Sequence, residues 1–280
     1  MATVIAQSTS SRLEGAPRPL LRGLSDRFSY LFPDSAYTRA SAGGWDGRLR
    51  PFHAGTGRFP TGLLPRVCQH LRDAGEEFRF VDGRPSLDGD ARPVPFDADL
   101  RDYQQAFVGD VERYRWGVLH AVPRAGKTHA AMATLARLGG WPACWICERV
   151  GLARQTADVA ARLLPGVACG VVGDGDCDLS GDLTICTVQS LAAAVRGAHA
   201  DDSDYAERPL TAEQHEAIRG WLPNVRVVVV DEAHHVLGDG ARCKDGQRPS
   251  YHAVLDLCTG ASHRLGLSGK IGRASCRERV

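Results

Sequence analysis

The sequence predicts an α/β protein, a parallel sheet with helices on both faces, preceded by a small α+β module. Two stretches and the order of elements between them carry that expectation. In the first, the apolar run Gly117-Val118-Leu119-His120-Ala121-Val122 enters Pro123-Arg124-Ala125-Gly126-Lys127-Thr128, and helix-forming residues continue to Leu135. In the second, Val227-Val228-Val229-Val230 has the composition of a buried parallel strand and runs straight into Asp231-Glu232-Ala233-His234. Between them, strand-like runs at 143–148, 167–172 and 183–187 surround a helical stretch at 151–164, the alternation that builds parallel sheets.

The first stretch has the chemistry of a triphosphate cradle. A strand, a tight loop ending in Gly126-Lys127-Thr128 and a helix turn backbone N–H groups and a helix N-terminus toward an anion. Pro123, Arg124, Ala125 and Gly126 would form the loop, Lys127 would place a point charge at the β- and γ-phosphates, and the Thr128 hydroxyl would bind Mg²⁺. The usual pattern opens on Gly where this chain has Ala121. An acid at the C-terminal end of a parallel strand sits beside such a loop. Asp231 would therefore hold the metal, and Glu232 would accept a proton from attacking water. Read separately, the second stretch is also an ordinary acidic helix cap. Together and in this order, the two point to an ATPase that uses ATP and Mg²⁺.

Composition narrows the class. In 280 residues, 43% hydrophobic with net charge +1, no apolar run approaches the ~20 residues that cross a bilayer. The start, Met1 to Ser8, has no secretory signal, so a cytoplasmic protein is expected. The single C-x-x-C, Cys144 and Cys147, lies in an apolar strand-like run. Residues three apart on a strand face opposite ways and cannot share a metal, so these thiols read as reduced core residues. Only three lysines stand against 31 arginines, which makes the retained Lys127 more telling.

Taken from the N-terminus, residues 1–19 read as a flexible tail and 20–83 as the small module. Within it, Leu20 to Phe32 has helical spacing and stops at Pro33, and Gly43 to Phe52 with Gly57-Arg58-Phe59 reads as a hairpin around Ala54-Gly55-Thr56. A helix over 61–74 and a strand over 78–81 complete it. Trp45, Arg48 and Arg50 on the hairpin could stack on a base and hold phosphates, or fill a small core and be solvated. Residues 84–96, rich in Pro, Asp and Gly, read as a linker. The domain from 97 opens with Arg101, Tyr103 and Gln104, and a Gln there can pair with an adenine edge or simply start a helix. Gln155, Thr187, Gln189 and Ser190 follow strands and suit phosphate contacts or helix caps. Asp174 to Asp178 lacks the Gly and Glu of a calcium loop, and Thr211 to Gln214 is a capping box. His234, His235 and Cys243 have no metal-ligand spacing.

In this order, residues 97–269 resemble the first RecA-like domain of superfamily-two DEAD/DEAH-type helicases. Arg101, Tyr103 and Gln104 look like the Q motif, Gly126-Lys127-Thr128 the first motif, and Asp231 to His234 a DEAH second motif. Ser268-Gly269 is similar to the start of the third. The resemblance implies that His234 and Ser268 couple the ATP site to movement, and that Gln155, Thr187, Gln189 and Ser190 contact DNA. Glu148-Arg149-Val150 departs from the usual Pro-Thr of the strand-contact motif. Gly44 to Arg50 with Phe59 to Leu64 resembles the accessory domain of phage UvsW-type and XPB-like DNA helicases. That implies duplex or branched DNA as partner, a role in recombination or repair, and a bacterial or phage-infected host. A second RecA-like domain in cis would supply arginine fingers, without which turnover should be poor. A restriction-enzyme translocase subunit, a DEAH-type RNA helicase and a non-enzymatic ATP- and DNA-binding fragment are the rival readings. Finally, Ile271 to Val280 resembles a translated sequencing adapter, with Lys270 at the junction, so 270–280 is expected to be an artefact.

Overall fold

The computed structural model describes residues 1–31, 46–196, 208–239 and 250–269, with no side-chain description for 237–239. The chain divides into two compact units, 1–85 and 86–280.

The first unit is built on the stretch expected to be a tail. Strands β1 (Ala2–Ala6) and β2 (Ser10–Glu14) are the middle of a four-stranded sheet. Beside them lie β5 (Arg58–Pro60) at one edge and β6 (Phe78–Asp82) at the other. The physical reason is period-two alternation hidden by polar neighbours. Val4 pairs opposite Leu13, both buried on one face, while Thr3 pairs with Glu14 on the other. Helices α1 (Arg18–Arg27) and α2 (Leu64–Asp73) cover the apolar face with Leu24, Val67 and Leu71. Phe52 and Phe59 stack in this core with ring centroids 5.3 Å apart.

Two further expectations change here. Helix α1 ends at Arg27, short of Phe32, because β3 (Tyr30–Leu31) pairs antiparallel with β4 (Arg48–Leu49). The expected hairpin is therefore split. Its first arm joins β3, whereas its second, β5, joins β2. The bend between them persists, with Gly57 N–H donating to His53 O at 2.8 Å. Gly57 has φ +67° and its absent Cβ would stand 2.1 Å from Leu13 O, so only glycine fits. Pro33 and Trp45 lie outside the described residues.

The second unit carries a seven-stranded sheet in the order β10-β9-β11-β8-β12-β13-β7. Its strands are β7 (Trp116–His120), β8 (Ala143–Cys147), β9 (Cys169–Gly173), β10 (Asp176–Cys177), β11 (Leu183–Thr187), β12 (Val227–Val230) and β13 (His263–Ser268). Every pairing is parallel except β9 with β10, where Asp174 and Gly175 make the turn. One face packs on α3 (Asp102–Tyr114), α4 (Lys127–Leu138) and α5 (Val150–Leu163), around Trp145, Val229 and Leu135. The other packs on α6 (Val188–Arg196), α7 (Ala212–Trp221) and α9 (Ser250–Leu257), around Ile146, Val228 and Leu191. Burial on both faces is why these strands read as continuous apolar runs. Cys144 and Cys147 belong to opposite faces, and burial pushes the Cys147 thiol up to about 12.

The segment expected as a linker is laid on this unit from Ser86 onward. Arg92 N–H donates to Gly139 O at 2.8 Å, Val94 N–H to Ala136 O at 2.9 Å, and Leu87 is buried in the core. Its Pro, Asp and Gly residues make an extended strap instead of a free tether. The capping box at Thr211 and Gln214 starts α7. Among the described residues, no helix is long and apolar enough to cross a membrane.

If residues 2–14 are core strands, Leu13→Ala should destabilise the first unit by about 2–5 kcal/mol, read from the urea midpoint. A Leu in a loose tail would leave that midpoint unmoved.

Candidate functional site

A parallel sheet brings the C-terminal ends of its strands to one edge, and three of those ends build the site. Strand β7 leads into loop 121–126, β12 runs into Asp231, and β13 lies between them. The sequence places the acidic strand beside the loop; the sheet interposes one strand, whose end is Ser268 and Gly269. The loop is tied to that strand by Ala121 N–H donating to Ser268 O at 3.1 Å. On the other side, Ala233 N–H donates to Leu267 O at 2.7 Å. β13 thus holds the two halves in register.

The loop shows why Ala121 is tolerated at a position where Gly is usual. Left-handed backbone falls on Arg124, φ +65°, and Gly126, φ +81°, while Ala121 needs none. Gly126 caps α4, so Lys127 and Thr128 open the helix with its N-terminus facing the loop. The Lys127 ammonium donates to Ala121 O at 3.1 Å and to Val122 O at 3.4 Å. A Cβ on Gly269 would stand 3.3 Å from Lys127 Nζ, so the glycine gives the ammonium room.

Tyr103 and Gln104, from α3, brace this loop from behind. The Tyr103 hydroxyl donates to Ala125 O. Gln104 is buried; its Nε2 donates to Gly126 O at 3.0 Å, and its Oε1 accepts from Arg101 N–H at 2.9 Å. The amide that the sequence offers either to an adenine edge or to a plain helix start is bonded at both ends to backbone. A short polar helix start gives no sign of this, because the partner lies 22 residues away.

The acidic half has its own constraint. Asp231 N–H donates to Ile146 O at 2.8 Å, extending the ladder beyond β12. Its Oδ1 accepts from Glu232 N–H at 2.9 Å, and Glu232 takes the left-handed φ of +47°. Burial raises the Asp231 carboxyl above the ordinary range, with Glu232 and Glu148 adding to it; the Glu232 N–H and Lys127 pull it back. Negative charge thus outweighs the one ammonium around Asp231. Among the described residues no group of three or more His, Cys, Asp or Glu is placed to hold a metal ion, so the chemistry here fits only a hard cation of the Mg²⁺ kind that takes one carboxylate and other oxygen donors. His234 Nδ1 lies 3.2 Å from Glu232 Oε2 and 3.4 Å from Ser268 Oγ, so the two candidate coupling residues meet beside the acid. His235 Nδ1 lies 3.0 Å from Glu148 Oε1, and the two imidazoles are 4.2 Å apart.

The candidate nucleic-acid residues separate into two sets. In the second unit, Gln155 on α5 and Gln189 on α6 are exposed at the strand-end edge. Thr187 is buried and bonded to Ser190, Oγ to Oγ at 2.9 Å, so this pair acts as the cap of α6. In the first unit, Arg50 is held by Asp46 and Asp26, while Arg48 donates to Ser29 Oγ at 2.8 Å. Arg50 and the Arg48 N–H pull the Asp46 carboxyl down to about 2. Arg50 is thus paired with two protein carboxylates, Asp46 four residues before it and Asp26 on α1.

A family model described as type III restriction enzyme, res subunit, matches residues 97–273. A Halobacterium salinarum protein named as a DNA 3'-5' helicase, Rad25, is 30% identical over 210 residues, 74% of this chain and 29% of its own length. Two crystal structures of the UvsW helicase of bacteriophage T4 superpose with TM-scores of 0.63 and 0.64. They are 15% and 16% identical, and cover 97% and 96% of this chain, which spans 94% and 53% of theirs. At that identity the likeness is one of fold. The chain spans under a third of the length of the Rad25 relative.

The bracing geometry predicts that Gln104→Ala lowers the melting temperature, through about 1–3 kcal/mol for backbone groups left unpaired. It should weaken binding of ATP and GTP alike, measured by titration with each. A loss confined to ATP would put the amide on the adenine ring.

Proposed function

Since the chain belongs to the type III restriction enzyme res-subunit family, with its second unit the first RecA-like domain of a superfamily-two helicase, we propose that it is the N-terminal part of an ATP-dependent DNA translocase of the DEAH type. The observation that carries this reading is the pairing, across β13, of the Lys127 loop with the Asp231-Glu232 turn. The two halves come from distant sequence yet feel each other electrostatically, since Lys127 acts on the Asp231 carboxyl.

In this reading the loop N–H groups and Lys127 bind the phosphates of ATP. Thr128 and Asp231 hold Mg²⁺, which when bound neutralises charge on the phosphate oxygens. Glu232 takes the proton of the attacking water. Its contact with His234, and that of His234 with Ser268, passes the state of the acid to the end of β13. Gln155 and Gln189 offer neutral donors to a DNA backbone, a contact blind to base sequence. A second RecA-like lobe would add arginine fingers, and its closure would move the strand. Recombination or repair is the role proposed for the whole protein, from the resemblance of residues 44–50 and 59–64 to the accessory domain of UvsW-type and XPB-like helicases. The family description also favours a second reading, a translocase subunit of a restriction enzyme. A binding series with duplex, branched and single-stranded DNA and RNA distinguishes these partners.

The site makes a sharp expectation for binding. Lys127→Ala should weaken Mg·ATP at least about tenfold, or about 1.4 kcal/mol, in calorimetric titration. Glu232→Gln should bind as tightly as the unmodified chain or more so, because it removes a negative charge from beside the phosphates. Equal loss in both variants, or in neither, contradicts the assigned roles.

A further inference from the structure

Glu148 is the residue that the proposed mechanism leaves unused. It follows β8 directly, where the strand-contact motif of the resembling family has Pro-Thr, and a carboxylate there repels a phosphate backbone. The structure shows what it touches instead. Its Oε1 lies 3.0 Å from His235 Nδ1, with both side chains about one-third exposed. The His235 ring stands against His234 at 4.2 Å, and His234 Nδ1 is 3.2 Å from Glu232 Oε2. A continuous path of four side chains therefore runs from the end of β8 to Glu232, the proposed proton acceptor in the turn after β12.

The two ends of that path move with different elements. Glu148 precedes α5, which begins at Val150 and exposes Leu152 and Gln155. His234 and His235 open the short helix α8 (His234–Asp239), one residue beyond the left-handed Glu232. A shift of the start of α5 must stretch the Glu148–His235 contact or drag α8 with it. An imidazole N–H on a half-buried carboxylate is a charge-assisted bond, short and directional enough to transmit such a shift.

We propose that Glu148 and His235 are a positioning pair that couples nucleic-acid occupancy at the start of α5 to the Glu232 turn. This pair is distinct from the His234–Ser268 contact and rests on the reading of the site as an ATP site with DNA at the strand-end edge. It also accounts for the acid in place of Pro-Thr: the position serves transmission, and Gln155, seven residues further on, is left to meet the backbone.

The test measures linkage by binding, with the full chain. The dissociation constant of a fluorescent ATP analogue with Mg²⁺ is taken with and without a saturating single-stranded oligonucleotide. The unmodified chain should show a shift of about fivefold or more. Glu148→Ala and His235→Ala should each bring that shift to within about twofold of none, while the DNA-free constant changes by less than about twofold. The double variant should lose no more than either single one, since the two residues act as one contact. Glu148→Gln, which still accepts the imidazole N–H, should recover much of the shift. A pair that only stabilises the fold would lower the melting temperature of both Ala variants and leave the shift intact, which overturns the proposal. So does a shift below about twofold in the unmodified chain. If Glu148→Ala is too unstable to assay, His235→Gln decides in its place. A chain that binds no nucleotide defeats the ATP-site reading itself. A chain that binds both ligands with the shift unaltered by these variants defeats the coupling alone.

Discussion

The constraint on which the site depends is the position of β13 between β7 and β12. Its end offers a carbonyl at Ser268 to the Lys127 loop and a carbonyl at Leu267 to the acidic turn. Both halves of the site are thereby hung from one strand, and their separation is set by strand spacing, about 9–10 Å for two steps across a sheet. That gap suits a phosphate chain with its cation between an ammonium and a carboxylate. Gly266 and Gly269 belong to the same arrangement, since a Cβ at either would press on Ala233 or on Lys127. A strand that does no chemistry of its own is in this way the gauge for the chemistry.

Around that gauge stand two of the four non-glycine residues with left-handed backbone among the described residues; the others, Arg115 and Asp174, end α3 and turn between β9 and β10. Arg124, Gly126 and Glu232 take left-handed conformations at the two lips of the site. Non-glycine residues in that region cost of order 1–3 kcal/mol and need surrounding structure to hold them. Here the support is visible. Tyr103 and Gln104 bond the carbonyls of Ala125 and Gly126, and the Asp231 carboxylate bonds the N–H of Glu232. The helix start before the loop works as a brace, and the acid that follows β12 also braces the residue after it.

The first unit obeys a different economy. It is a small sheet with helices on one face, and its core rests on Val4, Leu13, Phe52 and Phe59 more than on any motif. Its arginines at 48 and 50 look like a phosphate-binding pair in the sequence, yet in the fold they bond to Ser29, Asp26 and Asp46. Charges separated along a chain are independent only until folding brings their partners to them. The same holds for Gln104, whose Nε2 reaches Gly126 O, 22 residues further along the chain.

Sequence alone determined the parallel sheet, the loop and the acidic turn, because each is written locally. A doubly buried strand must be a continuous apolar run, a phosphate loop must end in Gly-Lys-Thr, and a helix start shows its capping box. The tail read over residues 1–19 failed because Val4 and Leu13 share a face only once two short polar strands pair, and pairing is not a local property. Likewise the split of the expected hairpin, the strap of residues 86–96, the strand between loop and acid, and the contact of Glu148 with His235 were decided by tertiary structure. All of them depend on which distant backbone or side chain comes within about 3 Å, the reach of a hydrogen bond, and no spacing along the chain encodes that distance.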